Sequence, residues 1–283
     1  MAITDIDLTE RLDNMIFPVG KATYDDKLNC TGFELFGTAF LIGQDGFALT
    51  AGHVIENIKA SITNPKHEAK HEAIAGIFKD KNNLKYACSI QIPSGTPLEE
   101  EHPSHDVSIF KLDFEPDTKL RPPFIIENGF RLSAADFYSV GYPTYLSFDN
   151  HLKARAPDGT LIPDEINILT KGYIKRLVNY GVGKFKGNKF LELSEVGTTG
   201  YSGAPIVCIE ATKFSLQKDN KIINEVVCHR LLGIYIGENQ IELGDGHKIS
   251  CGYAASVEAF SNWKPSIANG KSLQQIMMVL FDS

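Results

Sequence analysis

Three short segments of this 283-residue chain carry side chains that could act on a carbonyl group. Thr50-Ala51-Gly52-His53 ends an apolar run with an imidazole. Asp106-Val107-Ser108-Ile109-Phe110-Lys111-Leu112 sets a carboxylate at the head of an alternating stretch. Gly200-Tyr201-Ser202-Gly203-Ala204-Pro205 places a hydroxyl in a glycine-rich turn before an apolar run. Taken singly, each has a plain structural explanation: a histidine after a strand, an aspartate opening a strand, a serine in a turn. Taken together in the order His, Asp, Ser, they fit acyl transfer. A serine hydroxyl is a poor nucleophile until an imidazole takes its proton. The imidazole in turn needs a buried carboxylate to fix its tautomer and stabilise the imidazolium. Small residues around the serine let the backbone turn tightly, so that the amides of Gly200 and Ser202 can face a developing oxyanion. The candidate catalytic residues are therefore His53, Asp106 and Ser202, with Gly200 and Ser202 as the oxyanion hole.

A second motif competes. His67-Glu68-Ala69-Lys70-His71 reads H-E-x-x-H, which on a helix would present two imidazoles to a zinc ion with Glu68 as general base. The segment is a strongly polar tandem of KHEA, and Ile74 stands where a metzincin's glycine should be. A solvated face or loop is the preferred reading, with a zinc metalloprotease using His67, Glu68 and His71 as an alternative. His102, His105, His151, His229 and His247 share no ligand spacing, and no GxxxxGK[ST] loop is present. Neither a metal nor another cofactor is expected.

The elements that must position these groups are short. GTAFLIG, GFALTA, DVSIFKL, FYSVGY, KFLELS, APIVCIE and LLGIYIG are rich in Val, Ile, Phe and Tyr and bounded by turn residues, which reads as strands. Gly43-Gln44-Asp45-Gly46 joins two of them as a hairpin. Gly52 to Lys59 suits one or two helical turns, and SLQQIMMVLF near the end suits a helix packing its apolar side on the body. The expectation is an all-β chain. The proline-bearing stretch from Asp117 to Asn128 divides it into two strand sets. This gives an N-terminal extension over 1–14, one barrel over 15–120, a second over 121–262 and a helical tail over 263–283. Two long loops, Pro93 to His105 and Tyr145 to Glu165, stand out as functional or mobile.

At 43% hydrophobic and 22% charged residues, bulk composition excludes disorder, collagen and coiled coil. A formal charge of −7 argues against a nucleic-acid binder, which needs a concentrated basic surface. No run approaches the ~20 apolar residues of a membrane span. The first residues, MAITDIDLTERLDNMIF, carry charges where a secretory peptide places its apolar stretch. The five scattered cysteines include no CxxC pair. Together these give the expectation of a cytoplasmic protein with reduced thiols, no membrane partner and no nucleic-acid partner.

With these segments in this order, the sequence resembles the trypsin-like, chymotrypsin-fold serine proteases. The nearer likeness is to the bacterial, disulfide-free branch that includes the protease domain of the HtrA/Deg proteins. Gly37 to Ile55 resembles the strand–hairpin–strand leading to the catalytic histidine, DVSIFKLD the catalytic-aspartate strand, SVGYP the opening strand of a second barrel and GYSGAPIV the nucleophile turn. GIYIG and CGYAASVEAF are similar to the segments that wall the primary specificity pocket. The likeness spans about residues 15 to 262. It implies two six-stranded antiparallel β-barrels with the site in the cleft between them, a C-terminal helix and a protein or peptide substrate. It also implies a pocket with Val196 at its base and Ile236, Gly237 and Gly252 on its walls. Val196 favours an aliphatic or aromatic side chain on the acyl side of the scissile bond (P1). A basic P1 fits if Glu195 turns inward.

Two departures matter. The stretch after Phe260 is short of the PDZ domain that HtrA/Deg proteins usually append. Tyr201 stands where secreted zymogens carry the aspartate that pairs with a newly cut N-terminus. Control is therefore expected from loop ordering or an activating partner, as in a regulated effector of bacterial stress or antiviral defence. Oligomeric state is left open. The remaining alternative is a catalytically silent binding protein on the same fold.

Overall fold

The computed structural model describes residues 15–27, 30–43, 45–62, 71–79, 85–89, 99–112, 124–127, 134–143, 168–218, 221–242, 244 and 247–278. Its first half comprises β1 (Ile16–Tyr24), β2 (Cys30–Ile42), β3 (Phe47–Thr50), α1 (Gly52–Ser61), β4 (His71–Lys79), β5 (Lys85–Ser89), β6 (Glu99–Glu101) and β7 (Ser108–Lys111). The second half comprises β8 (Phe124–Ile125), β9 (Asp136–Gly141), β10 (Ile168–Val178), β11 (Phe190–Leu193), β12 (Pro205–Lys218), β13 (Lys221–Glu242) and β14 (Lys248–Ser256). It ends with α2 (Val257–Phe260), a 3-10 turn (Ser266–Ala268) and α3 (Leu273–Met278).

The strands form two barrel-like sheets, and the chain is mostly β as its short β-branched and aromatic runs imply. The first sheet runs β5-β4-β1-β2-β3-β7-β6. The second runs β12-β9-β10-β11-β14-β13, and a β12–β13 pairing closes these six antiparallel strands into a ring. Short β8 joins the second sheet as a seventh strand, parallel to β13 through His229↔Phe124. The first sheet likewise has seven strands among the described residues, one more than the six expected, because short acidic β6 pairs on the outside of β7.

Packing joins the two sheets. One apolar cluster runs from Phe17, Phe40 and Phe110 of the first to Tyr138, Leu231 and Tyr253 of the second. The Phe40 and Phe124 rings meet edge-on at 5.2 Å. A second cluster, with Phe137, Leu193, Tyr201 and Tyr235, fills the second barrel. The C-terminal helix α3 buries Leu273, Ile276 and Met277, the apolar side that its sequence offered.

The H-E-x-x-H reading meets a contrary backbone. His71, its second histidine, opens β4 and pairs with Tyr24 of β1, so that end of the motif is extended, not helical. His67 and Glu68 lie outside the described residues. The loop expected from Pro93 to His105 contains β6, and Tyr145 to Glu165 lies wholly outside the described residues. Among the described residues, no helix is long and apolar enough to cross a membrane, and no group of three or more His, Cys, Asp or Glu side chains could hold a metal ion.

Candidate active site

Strand β3 carries the chain from the core to Ala51, and α1 begins at once. Val54, Ile55 and Ile58 are buried, while Glu56 and Lys59 stay exposed. Ala51 offers no side chain to cap the free amides of the first turn. Asp106, from the segment before β7, does so instead. Its Oδ1 accepts the His53 backbone N–H at 2.8 Å, and its Oδ2 lies 2.7 Å from His53 Nδ1. A carboxylate only accepts, so Nδ1 carries the hydrogen and Nε2 is left as the basic nitrogen. The Asp106 side chain is 7% exposed and that of His53 33%. The aspartate is thus a buried anchor and the imidazole reaches solvent. Asp106 is fixed by its own N–H on the Lys186 carbonyl at 3.1 Å.

The Ser202 turn is held from several sides. The amides of Tyr201, Gly203 and Ala204 donate to the carbonyls of Thr198, Tyr235 and Tyr201. No such bond from the amides of Gly200 or Ser202 is found among the described residues, and these are the two amides the sequence assigns to an oxyanion hole. Thr38 of β2 pins the turn to the first barrel. Its N–H donates to the Ser202 carbonyl at 2.8 Å, and its hydroxyl donates to the Gly200 carbonyl at 2.9 Å while accepting the Tyr142 N–H at 3.0 Å. Glycine at 203 is obligatory: with φ +93°, a Cβ there would lie 1.9 Å from the Thr38 carbonyl oxygen. Tyr201 is 2% exposed, and its hydroxyl donates to the Ser139 carbonyl at 3.0 Å and meets Thr170 Oγ1 at 2.9 Å. No hydrogen bond joins Ser202 Oγ to His53 among the described residues.

His53, Asp106, Gly200 and Ser202 line one cleft of about 770 Å³. Val196, Ile236 and Gly237, which the sequence proposes for a pocket, line the same cleft. Gly252 does not. A Cβ on it would lie 2.3 Å from the Glu195 carbonyl and 3.4 Å from the Tyr235 ring, so it is walled off by close backbone packing and by that ring. Glu195 is exposed and is not part of the cleft lining. Sequence reasoning missed Thr38, Tyr235, Phe36 and Asn57 at or near the site. Asn57 follows His53 by one helical turn, a spacing that could have found it. Tyr235 sits within the quoted GIYIG run.

Behind the aspartate lies a small imidazole cluster. His102 and His105 are buried, with ring centroids 4.9 Å apart, and the Trp263 ring meets His102 edge-on at 5.1 Å. His102 Nδ1 accepts the backbone N–H groups of Ser104 and His105, each at 3.1 Å. Burial, then the neighbouring His105 and Lys186, push His102 down to about 4. Burial also lowers His105, against the opposing hydrogen bond to Asn188.

Two barrel-like β-sheets with a cleft holding the His53–Asp106 pair and a glycine-bound serine define a protein of the chymotrypsin-like protease architecture. The chain belongs to the trypsin-like peptidase domain family, whose model matches residues 37–213. Among solved structures it is similar to the HtrA-type protease AlgW with decapeptide, at 14% identity and a TM-score of 0.52, over 90% of this chain and 65% of that one. It is also similar to AlgW with tripeptide, at 15% identity and a TM-score of 0.51, over 93% of this chain and 63% of that one. The chain thus spans under two thirds of both AlgW chains. A further likeness is to the MamO protease domain from Magnetospirillum magneticum, at 11% identity and a TM-score of 0.47, over 88% of this chain and 94% of that one. No curated protein matches the chain in sequence.

Proposed function

We propose that this protease is a serine endopeptidase in which Ser202 is the nucleophile, His53 the general base and acid, and Asp106 the group that orients and stabilises the imidazole. Ser202 Oγ attacks the scissile carbonyl as His53 Nε2 takes its proton. The tetrahedral oxyanion is held by the amides of Gly200 and Ser202. His53 then returns the proton to the leaving amine as the C–N bond breaks, and water repeats the sequence on the acyl-enzyme. The observation that carries the reading is the buried Asp106, which accepts both the backbone N–H and Nδ1–H of His53 in the cleft that Ser202 also lines.

Activation by a newly cut N-terminus has no acidic partner at Tyr201, whose hydroxyl is held by Ser139 and Thr170. Control by loop ordering or a partner protein fits better, and would bring Ser202 Oγ and His53 Nε2 into contact. The buried, free Cys30, Cys208, Cys228 and Cys251 suit a reducing, cytoplasmic setting for such a regulated effector. The test is cleavage profiling on proteome-derived peptides with wild type and Ser202→Ala, beside fluorophosphonate labelling read by intact mass. One adduct on uncleaved wild type and none on Ser202→Ala is expected. Cleavage that survives Ser202→Ala would refute the assignment, and labelling only after N-terminal cleavage would refute the account of control.

A further inference from the structure

The side of the cleft beside Ser202 is bounded by the segment from Val196 to Gly200 and by β13 from Tyr235 to Glu238. In the serine-peptidase reading, the P1 side chain enters between these two segments. Tyr235 crosses that space. Its backbone is bound to the nucleophile turn, with its carbonyl on the Gly203 N–H at 2.8 Å and its N–H on the Ala204 carbonyl at 2.9 Å. Its hydroxyl reaches the opposite segment, accepting the Gly197 N–H at 2.9 Å and donating to the Gly197 carbonyl at 3.2 Å.

Tyr235 as a whole is 3% exposed. Its ring stands edge-on to Tyr201 at 5.9 Å, and the ring's edge lies 3.4 Å from where a Cβ on Gly252 would stand. Swinging the ring out would strand the Gly197 N–H and carbonyl and the phenol itself without partners, a costly outcome for buried groups. Above the ring the lining is apolar at Val196 and Ile236. Of the acids of this neighbourhood, Glu195 is exposed and outside the cleft lining, and Glu238, which does line the cleft, is exposed to solvent.

We propose that Tyr235 sets specificity by filling the depth of the primary pocket, so that the enzyme cleaves after small side chains, those of Gly, Ala and Ser, and rejects aromatic and basic P1 residues. This rests on the serine-peptidase reading and narrows it. The aliphatic-or-aromatic expectation drawn from Val196 is replaced, because the ring of β13 and not the side chain at 196 limits the depth.

The experiment uses full-length protein and peptidyl diphenyl phosphonates differing only at P1 (Ala, Phe or Lys), with a fluorophosphonate that has no P1 side chain as control. Ser202 Oγ would bond to phosphorus with loss of phenol. Wild type should react with the Ala probe at least about 100-fold faster than with the Phe or Lys probe, a larger factor than one methylene gives because a whole ring is excluded. Tyr235→Val should raise the Phe-to-Ala rate ratio at least tenfold. Tyr235→Phe keeps the ring and should keep the preference. Melting curves identify any variant that fails to fold, in which case the wild-type ratios and Tyr235→Phe decide. Fluorophosphonate labelling with the Phe or Lys probe as fast as the Ala probe would overturn the specificity proposal alone. No adduct from any reagent on wild type would overturn the serine-peptidase reading, and this proposal with it.

Discussion

Replacing Thr38 by valine isolates the link between the first barrel and the nucleophile turn. The side chain is fully buried, and valine matches its shape, so no cavity follows. Two backbone groups lose their partner at once: the Gly200 carbonyl, which accepts the hydroxyl at 2.9 Å, and the Tyr142 N–H, which donates to it at 3.0 Å. Stranding each costs about 1–3 kcal/mol, or about 2–6 kcal/mol for the pair. In a chain of this size that lowers the melting midpoint by roughly 4–12 °C, at about 2 °C per kcal/mol. Thr38→Ser keeps both bonds and loses one buried methyl, about 0.8 kcal/mol. The functional consequence follows from geometry. The Gly200 carbonyl is tied by that hydroxyl beside the two amides assigned to the oxyanion, and losing one oxyanion donor outright costs ~10²–10³ in rate. A loosened turn should slow fluorophosphonate labelling of Ser202 at least about tenfold in Thr38→Val and less than threefold in Thr38→Ser. Thermal melts and labelling time courses on the three proteins give both quantities. If valine melts with serine and labels within twofold of wild type, the hydroxyl does not organise the turn.

Three other outcomes are expected. Asp106→Asn keeps an acceptor for the His53 N–H but presents an amide to Nδ1; labelling should fall by about 10⁴, the size of a wrong-tautomer defect, and a loss under tenfold in a rate assay would contradict the role given to the carboxylate. Gly203→Ala puts a methyl into the Thr38 carbonyl at a left-handed backbone position and should fail to fold or melt far below wild type by circular dichroism. The buried His102 binds its proton only near pH 4, whereas the unfolded chain binds it near 6.5. Its contribution to stability is therefore complete above pH 6.5 and is lost as pH falls towards 4. His102→Asn keeps an acceptor for Ser104 and His105 without titrating, so its melting temperature should fall less than that of wild type between pH 7 and pH 5.

The candidate triad was legible because its chemistry is written in local context. Ala51-Gly52-His53 ends a strand and opens a helix, and Gly200 to Pro205 forms a turn that tolerates only small residues at Gly203. The α3 helix was legible for a similar reason, since one helical period collects Leu273, Ile276 and Met277 on a side that must be buried. The supporting residues were hidden by distance. Thr38 lies 162 residues from Gly200, and a threonine in an alternating strand looks like any other until the two barrels meet. Tyr235 and Ile236 both line the cleft, and strand alternation does not say which of them presents its side chain there. That choice depends on how β13 pairs with β12 and β14. A one-residue change in register would turn the Tyr235 side chain to the other face of the strand.

By itself, then, the sequence determined a mostly-β chain carrying His53, Asp106 and Ser202 in the order of a trypsin-like peptidase, because hydrophobic alternation and turn chemistry are local properties. Only the tertiary structure decided that Asp106 both caps α1 and binds His53, that Thr38 holds the Ser202 turn, and that the Tyr235 ring stands in front of Gly252. Each of these is a contact between segments far apart in the chain, and such contacts are set by register and barrel packing, which no single stretch of sequence contains.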